Sequence, residues 1–205
     1  YELFLGKRSE GLFIEVGAYD GISFSNSSCL ASAGWEGLLI EPIPEFAQAC
    51  RTLYSGNQKI KILETAIGST EKEVTITVAG SLTTTDESMI TAYESIGWAK
   101  KSVRNTKKLI VKQRVLDDVL NEMNFNRIID ILIVDVEGKE KEVFDGFDIL
   151  HWKPRMIIAE LSHTHADLHK YSGEDSKLQQ HIVDSGYSVI YKDQVNTVFL
   201  SERVF

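Results

Sequence analysis

Short β-branched runs separated by helix-like segments constrain this chain more than any other feature. "LFIEV" (Leu12–Val16), "GLLIE" (Gly37–Glu41), "IKILETAI" (Ile60–Ile67), "IDILIVDV" (Ile129–Val136) and "MIIAEL" (Met156–Leu161) read as strands. All but "IKILETAI" are almost unbroken in apolar residues, as strands covered on both faces are. Segments 25–33, 44–54, 116–124 and 139–144 read as the helices between them, with Pro44 suited to a first helical position and Gly34 to a helix stop. Alternation at these lengths builds βαβ units around a parallel sheet. Two places break it. "EVTITVAG" (Glu73–Gly80) and "KLIVKQRV" (Lys108–Val115) are suited to pair as an antiparallel addition, and "YSVIY" (Tyr187–Tyr191) with "NTVFLS" (Asn196–Ser201) reads as a hairpin. The expected fold is α/β: a mostly parallel twisted sheet ending in an antiparallel hairpin, with helices on both faces.

At 205 residues, 43% apolar and 25% charged, the chain reads as one globular domain over 1–205. Within it, the polar stretch 81–106 reads as a substrate-side excursion, since loops that long usually carry function. No apolar stretch approaches the roughly 18–20 residues of a membrane span, and no basic segment followed by an apolar one marks a leader. Cys29 and Cys50 read as buried free thiols in a reducing compartment, so a cytoplasmic location without a membrane partner is expected. The net charge of −8 disfavours nucleic acid. One local exception is Lys100–Arg114, seven basic residues and no acidic one, which reads either as a solvated segment or as a positive lip for an anionic partner. Oligomeric state leaves no trace in the sequence.

The first strand ends in a carboxylate and opens into glycines, "FIEVGAYDGISFSNSSCL" (Phe13–Leu30). A glycine turn at the first βα junction is the nucleotide site of doubly wound folds. Its pyrophosphate version needs G-x-G-x-x-G. Here Tyr19 replaces the second glycine and Glu15 puts a negative charge where a pyrophosphate would lie, so a nicotinamide oxidoreductase is set aside. A cofactor with a cationic amino-acid end and a nucleoside end fits better. S-adenosylmethionine is one: ammonium toward Glu15, carboxylate on backbone N–H groups near the helix start, ribose on Glu41 at the end of the second strand, and adenine against Ala66 and Ile67.

In order and spacing, "FIEVGAYDGISFSN", "GWEGLLIEPIPE", "LDDVL", "IDILIVDVEGKEKEVFDGF" and "PRMIIAEL" resemble FkbM-type methyltransferases over roughly residues 11–161. The resemblance implies a Rossmann-like class I methyltransferase that uses S-adenosylmethionine and methylates hydroxyls of sugars and polyketides. It also implies cofactor contacts at Glu15, Gly17, Gly21, Glu41 and Asp135, with their motif neighbours Ala18, Asp20 and Pro42. Ser25 and Asn26 are carried over as contacts or as caps of the following helix. Tyr19 stands where the family often has asparagine.

Methyl transfer from a sulfonium is an in-line displacement, so alignment is the main task. A hydroxyl acceptor also needs a general base or a metal to ease loss of its proton. Asp135 and Glu137 end the fourth strand and Glu160 the fifth, at the edge where ligands bind in open α/β sheets. His163, His165 and His169 follow in "LSHTHADLHK". Two mechanisms stay open. Either His163, His165 or a carboxylate acts as base without metal, or Asp135 and Glu160 with a histidine hold a divalent cation such as magnesium. Glu137 serves this edge or the N-terminus of the next helix. Trp98, in the excursion, is suited to stack on an acceptor. The reading is methyl transfer from S-adenosylmethionine to a hydroxyl oxygen of a small molecule or glycan, with Asp135, Glu160, His163 and His165 as the catalytic candidates. Its rivals are a nucleic-acid methyltransferase using 100–114 and a non-catalytic domain that keeps the fold.

Overall fold

The structure, a computed structural model, describes residues 2–6, 8–161, 167–168 and 174–202. In chain order the elements are α1 (Glu2–Leu5), β1 (Leu12–Val16), α2 (Ser28–Ser32), β2 (Glu36–Ile40), α3 (Pro44–Leu53), β3 (Ile60–Leu63), β4 (Ala66–Ile67) and β5 (Lys72–Val78). Next come α4 (Glu87–Ser95), β6 (Lys107–Arg114), α5 (Leu116–Glu122), β7 (Ile131–Val134), α6 (Glu140–Asp145) and α7 (Ile149–Trp152). The described elements close with β8 (Met156–Glu160), α8 (Asp175–Asp184), β9 (Tyr187–Lys192) and β10 (Asn196–Ser201).

Seven strands form the main sheet in the order β3-β2-β1-β7-β8-β10-β9. The first five are parallel, and β10 lies antiparallel between β8 and β9. The unbroken apolar runs have the expected cause. Ile14, Leu38, Leu132 and Val134 join one core, whereas Phe13, Leu39, Ile131 and Ile133 join another on the opposite face. Successive side chains of a strand point to opposite faces, so a sheet covered on both sides must be apolar at every position. On the amphipathic α6 side, Val143, Phe144 and Phe147 are buried against the sheet.

The second antiparallel unit also forms, with an addition. Strand β6 pairs antiparallel with β5 and parallel with β4, making a separate three-stranded sheet. The run "IKILETAI" is therefore not one strand. Glu64 turns outward to Arg51, and the Thr65 hydroxyl donates to the Lys112 carbonyl at 2.8 Å, which moves Ala66–Ile67 onto β6. Ile43 and Phe46, at the start of α3, pack against Ile76 and Val78 of the small sheet and tie it to the main body. The 81–106 excursion contains α4, whose Met89, Ala92 and Tyr93 pack with Ile96, Ala99 and Val103 in their own small core. Asp86 caps α4 by accepting from the Ser88 N–H.

Helix α2 begins at Ser28, three residues later than expected, because 25–27 are engaged elsewhere. Cys50 is buried as expected but Cys29 is exposed, since it lies on the outer side of a helix that buries only Leu30 and Ala31. The basic stretch is not a uniform positive lip. Lys107, Lys108, Lys112 and Arg114 pair with Glu45, Glu87, Glu71 and Glu122. Asp130 sits at the opposite sheet edge, bridging Arg8 and Arg155 at 2.9 and 3.0 Å. Among the described residues no helix is long and apolar enough to cross a membrane.

Candidate active site

Beyond the C-terminal ends of β1, β2 and β7, under the small sheet and the excursion, lies a cavity of about 850 Å³. Strand β1 delivers Glu15 into it, 2% exposed. The loop after β1 folds back over this carboxylate. Both the Ser25 and the Ser27 hydroxyls donate to it, Ser27 at 2.6 Å, and so does the Asn26 N–H at 3.1 Å. Ser25 in turn accepts from the Ser27 and Ser28 N–H groups, which begins α2. Ser25 and Asn26 thus line the cavity and also shape the helix start, joining the two roles the sequence left open.

Burial pushes the Glu15 carboxyl up to about 7, against the pull of its serine and backbone donors. The folded value lies above the unfolded one, so stability from the protonated form is complete below pH 4.5 and is lost as pH rises through 7. Glu15→Gln should therefore gain stability relative to the parent between pH 5 and pH 8, by on the order of 3 kcal/mol. Thermal melting of both proteins at the two pH values reads this. A gap that does not move with pH would mean that Glu15 titrates normally.

Glu41, 4% exposed, is held just beyond β2. Its Oε2 accepts from the Tyr19 N–H at 2.9 Å and its Oε1 from the Ile43 N–H at 2.8 Å. Burial raises its carboxyl to about 7 as well. One backbone donor per oxygen leaves each a lone pair for a ligand hydroxyl. Tyr19 takes a left-handed conformation (φ 49°) and sets its ring edge-on against Phe46, centroids 4.5 Å apart.

Gly17 answers to close approach. Its N–H reaches the Ile40 carbonyl at 2.9 Å, while the β1–β7 ladder continues as Asp135 N–H to Val16 O at 3.0 Å. A Cβ at Gly17, where φ is +90°, would stand 1.7 Å from the Asp135 carbonyl oxygen. Ala18, Pro42, Ala66 and Ile67 also line the cavity. Asp20 and Gly21 do not. The Asp20 carboxylate is used by its own turn, accepting from the Ile22 and Ser23 N–H groups. Gly21 (φ +80°) lies against Cys50 and Tyr54, with its carbonyl taking the Tyr54 hydroxyl at 2.8 Å. These two shape the loop from outside the cavity.

Strand ends β7 and β8 bring three carboxylates together. Asp135, Glu137 and Glu160 each place an oxygen within 4.8 Å of the others. Burial pushes all three carboxyls up. For Glu160 and Glu137 the charges of their neighbours push further, and for Asp135 a hydrogen bond with Glu160 works the other way. The Tyr93 hydroxyl, from α4, donates to Glu137 Oε2. Burial first, then the Glu137 charge, pushes that phenol far up, so it stays a donor. Glu137 is left-handed (φ 58°), and the Thr84 hydroxyl fixes its carbonyl at 2.7 Å. Of the two roles open to Glu137, the strand-end one is seen; the acids in the first turn of α6 are Glu140 and Glu142, and Glu140 also accepts from the Val136 and Gly138 N–H groups of the loop before the helix. His163, His165 and His169 lie outside the described residues.

Sequence reasoning missed Tyr93, Glu140 and Thr84. Nothing in 81–106 marks Tyr93 or Thr84, whereas Glu140 could have been found as the acid at the third position after Glu137. Trp98 does line the cavity, 57% exposed, with Phe24, which is 84% exposed and left-handed (φ 59°).

The sheet order, the terminal antiparallel strands and the cavity at the strand ends define a class I methyltransferase fold. Solved structures share it, two of them as follows. One is titled METTL16 MTase domain, at 14% identity, TM-score 0.53, covering 98% of this chain and 64% of that one. The other is a human methyltransferase 10 domain containing protein, at 13% identity, TM-score 0.50, covering 98% and 77%. No curated protein sequence matches the chain. Residues 15–187 match the family described as methyltransferase FkbM domain, and the chain belongs to that family. It is a methyltransferase, and use of S-adenosylmethionine is expected of its family and fold.

The residues present fit that cofactor. Glu15, Glu41 and Asp135 give the cavity an acidic lining suited to a sulfonium and an ammonium, Glu41 keeps acceptor capacity for ribose hydroxyls, and Ala66 and Ile67 offer an apolar surface for a base.

Proposed function

We propose that the chain transfers a methyl group from S-adenosylmethionine to a hydroxyl oxygen of a small molecule or glycan. One observation carries this reading: the carboxylates of Asp135, Glu137 and Glu160 gather in the same cavity as Glu15 and Glu41. When bound, the cofactor supplies an electrophilic methyl on a good leaving group. The chain's own work is alignment and proton removal. Glu15 holds the 25–27 loop, Glu41 orients the ribose and keeps Tyr19 in place, and Gly17 allows the β1 and β7 ends to approach. An oxygen acceptor must shed a proton as its bond to carbon forms, and the Asp135–Glu160 pair is placed to receive it. Carboxyls raised by burial are better proton acceptors near neutral pH than ordinary ones. Trp98 and Phe24 at the rim suit the apolar face of a sugar or polyketide. The ion pairing of the 107–114 segment gives no support to a nucleic-acid acceptor.

Calorimetric titration with S-adenosylhomocysteine, with NAD as control, tests the cofactor. Micromolar binding of the first and none of the second is expected. An acceptor screen over hydroxylated sugars and polyketides then reads methyl transfer. Methylation confined to amines or nucleic acid would overturn the hydroxyl reading.

A further inference from the structure

We propose that Asp135, Glu137 and Glu160 form a binding site for one hard divalent cation of the magnesium or manganese kind. Three carboxylates with oxygens within 4.8 Å of one another carry up to three negative charges in a half-buried site. No described lysine or arginine pairs with any of them. Lys139, which also lines the cavity, is engaged with Asp86 at 3.3 Å and Glu142 at 3.1 Å. Charges so placed need either protons or a cation.

A second observation points to the cation. A proton shared by Asp135 and Glu160 occupies one oxygen of each and leaves the other oxygens without a donor. Glu160 Oε2 is fully buried and has no hydrogen-bond partner. Asn196, opposite Glu160 in the β8–β10 ladder and also lining the cavity, carries a second buried oxygen without a partner, Oδ1. Two buried acceptors lacking a donor at paired positions are groups that an oxygen-seeking cation would satisfy. Oxygen-only donors select magnesium, manganese or calcium over softer metals. The Tyr93 hydroxyl on Glu137 and the left-handed backbone of Glu137 are the kind of support that orients a ligand.

A role for the cation in catalysis rests on the hydroxyl reading above, whereas the site itself does not. A cation there would make a hydroxyl that reaches it more acidic. Held by one oxygen from each carboxylate, it would leave other carboxylate oxygens to receive the proton as the O–C bond forms and the C–S bond breaks, the electron pair of the C–S bond staying on sulfur.

The test is manganese binding to the full chain, followed by electron paramagnetic resonance of free Mn²⁺, with and without S-adenosylhomocysteine. One ion per chain is expected, with Glu137→Gln and Glu160→Gln each weakening it about tenfold or more and Tyr93→Phe by about tenfold. Unchanged S-adenosylhomocysteine affinity in the variants shows that they are folded. Absence of Mn²⁺ binding in protein that binds S-adenosylhomocysteine overturns the site, as does equal binding by the Gln variants. Mn²⁺ binding without S-adenosylhomocysteine binding keeps the site and removes the methyl-transfer reading instead.

Discussion

Glu160→Gln should lower kcat by roughly 10²–10⁴-fold, the range for loss of a positioned proton acceptor. Affinity for S-adenosylhomocysteine should stay within about twofold, because Glu160→Gln leaves the proposed cofactor contacts at Glu15, Glu41, the Gly17 turn and Asp135 unchanged. The expectation follows from where Glu160 stands. It ends β8, touches Asp135, and has a buried oxygen with no hydrogen-bond partner. Replacing a carboxyl already pushed well up by burial and by its acidic neighbours removes little favourable charge, so the melting temperature should hold or rise. Single-turnover kinetics separates chemistry from binding. Full activity in Glu160→Gln would remove the β8 end from the chemistry and leave Asp135, His163 and His165 as the remaining proposed bases.

Gly17→Ala should destabilise the fold by about 3–5 kcal/mol, a magnitude reserved for real steric conflict. The new methyl would meet the Asp135 carbonyl oxygen at 1.7 Å, and φ is +90°. Relief requires prising apart β1 and β7, the two central strands. The control is Gly34→Ala, where φ is +89° but nothing lies within 4 Å of the new atom. It carries the left-handed cost alone, about 1–2 kcal/mol. Urea denaturation of both reads the difference. Equal losses would show that conformation rather than contact makes Gly17 necessary.

Some of this was legible from one dimension and some was not. The parallel sheet could be read because strands buried on both faces must be apolar throughout, and that signature survives in "IDILIVDV". "IKILETAI" is more mixed, and it divides: Ile60–Leu63 joins the main sheet, whereas Ala66–Ile67 pairs with β6, a partner that lies far along the chain. Asp20 and Gly21 looked like Gly17 because all belong to one turn. A turn's inner and outer sides alternate over single residues, and no local pattern says which side a ligand occupies.

The carboxylate cluster divides in the same way. Asp135, Glu137 and Glu160 were readable as strand ends, since an acid closing an apolar run is costly unless something needs it there. That Tyr93 would engage Glu137 was not readable, because it depends on a left-handed residue and on a helix some forty residues upstream. By itself the sequence determined the layers, the sheet direction and which edge carries the acids, all of which follow from local periodicity and burial. Only the tertiary structure decided which oxygens are already engaged and which remain open, because hydrogen-bond partners are shared among segments distant in the chain.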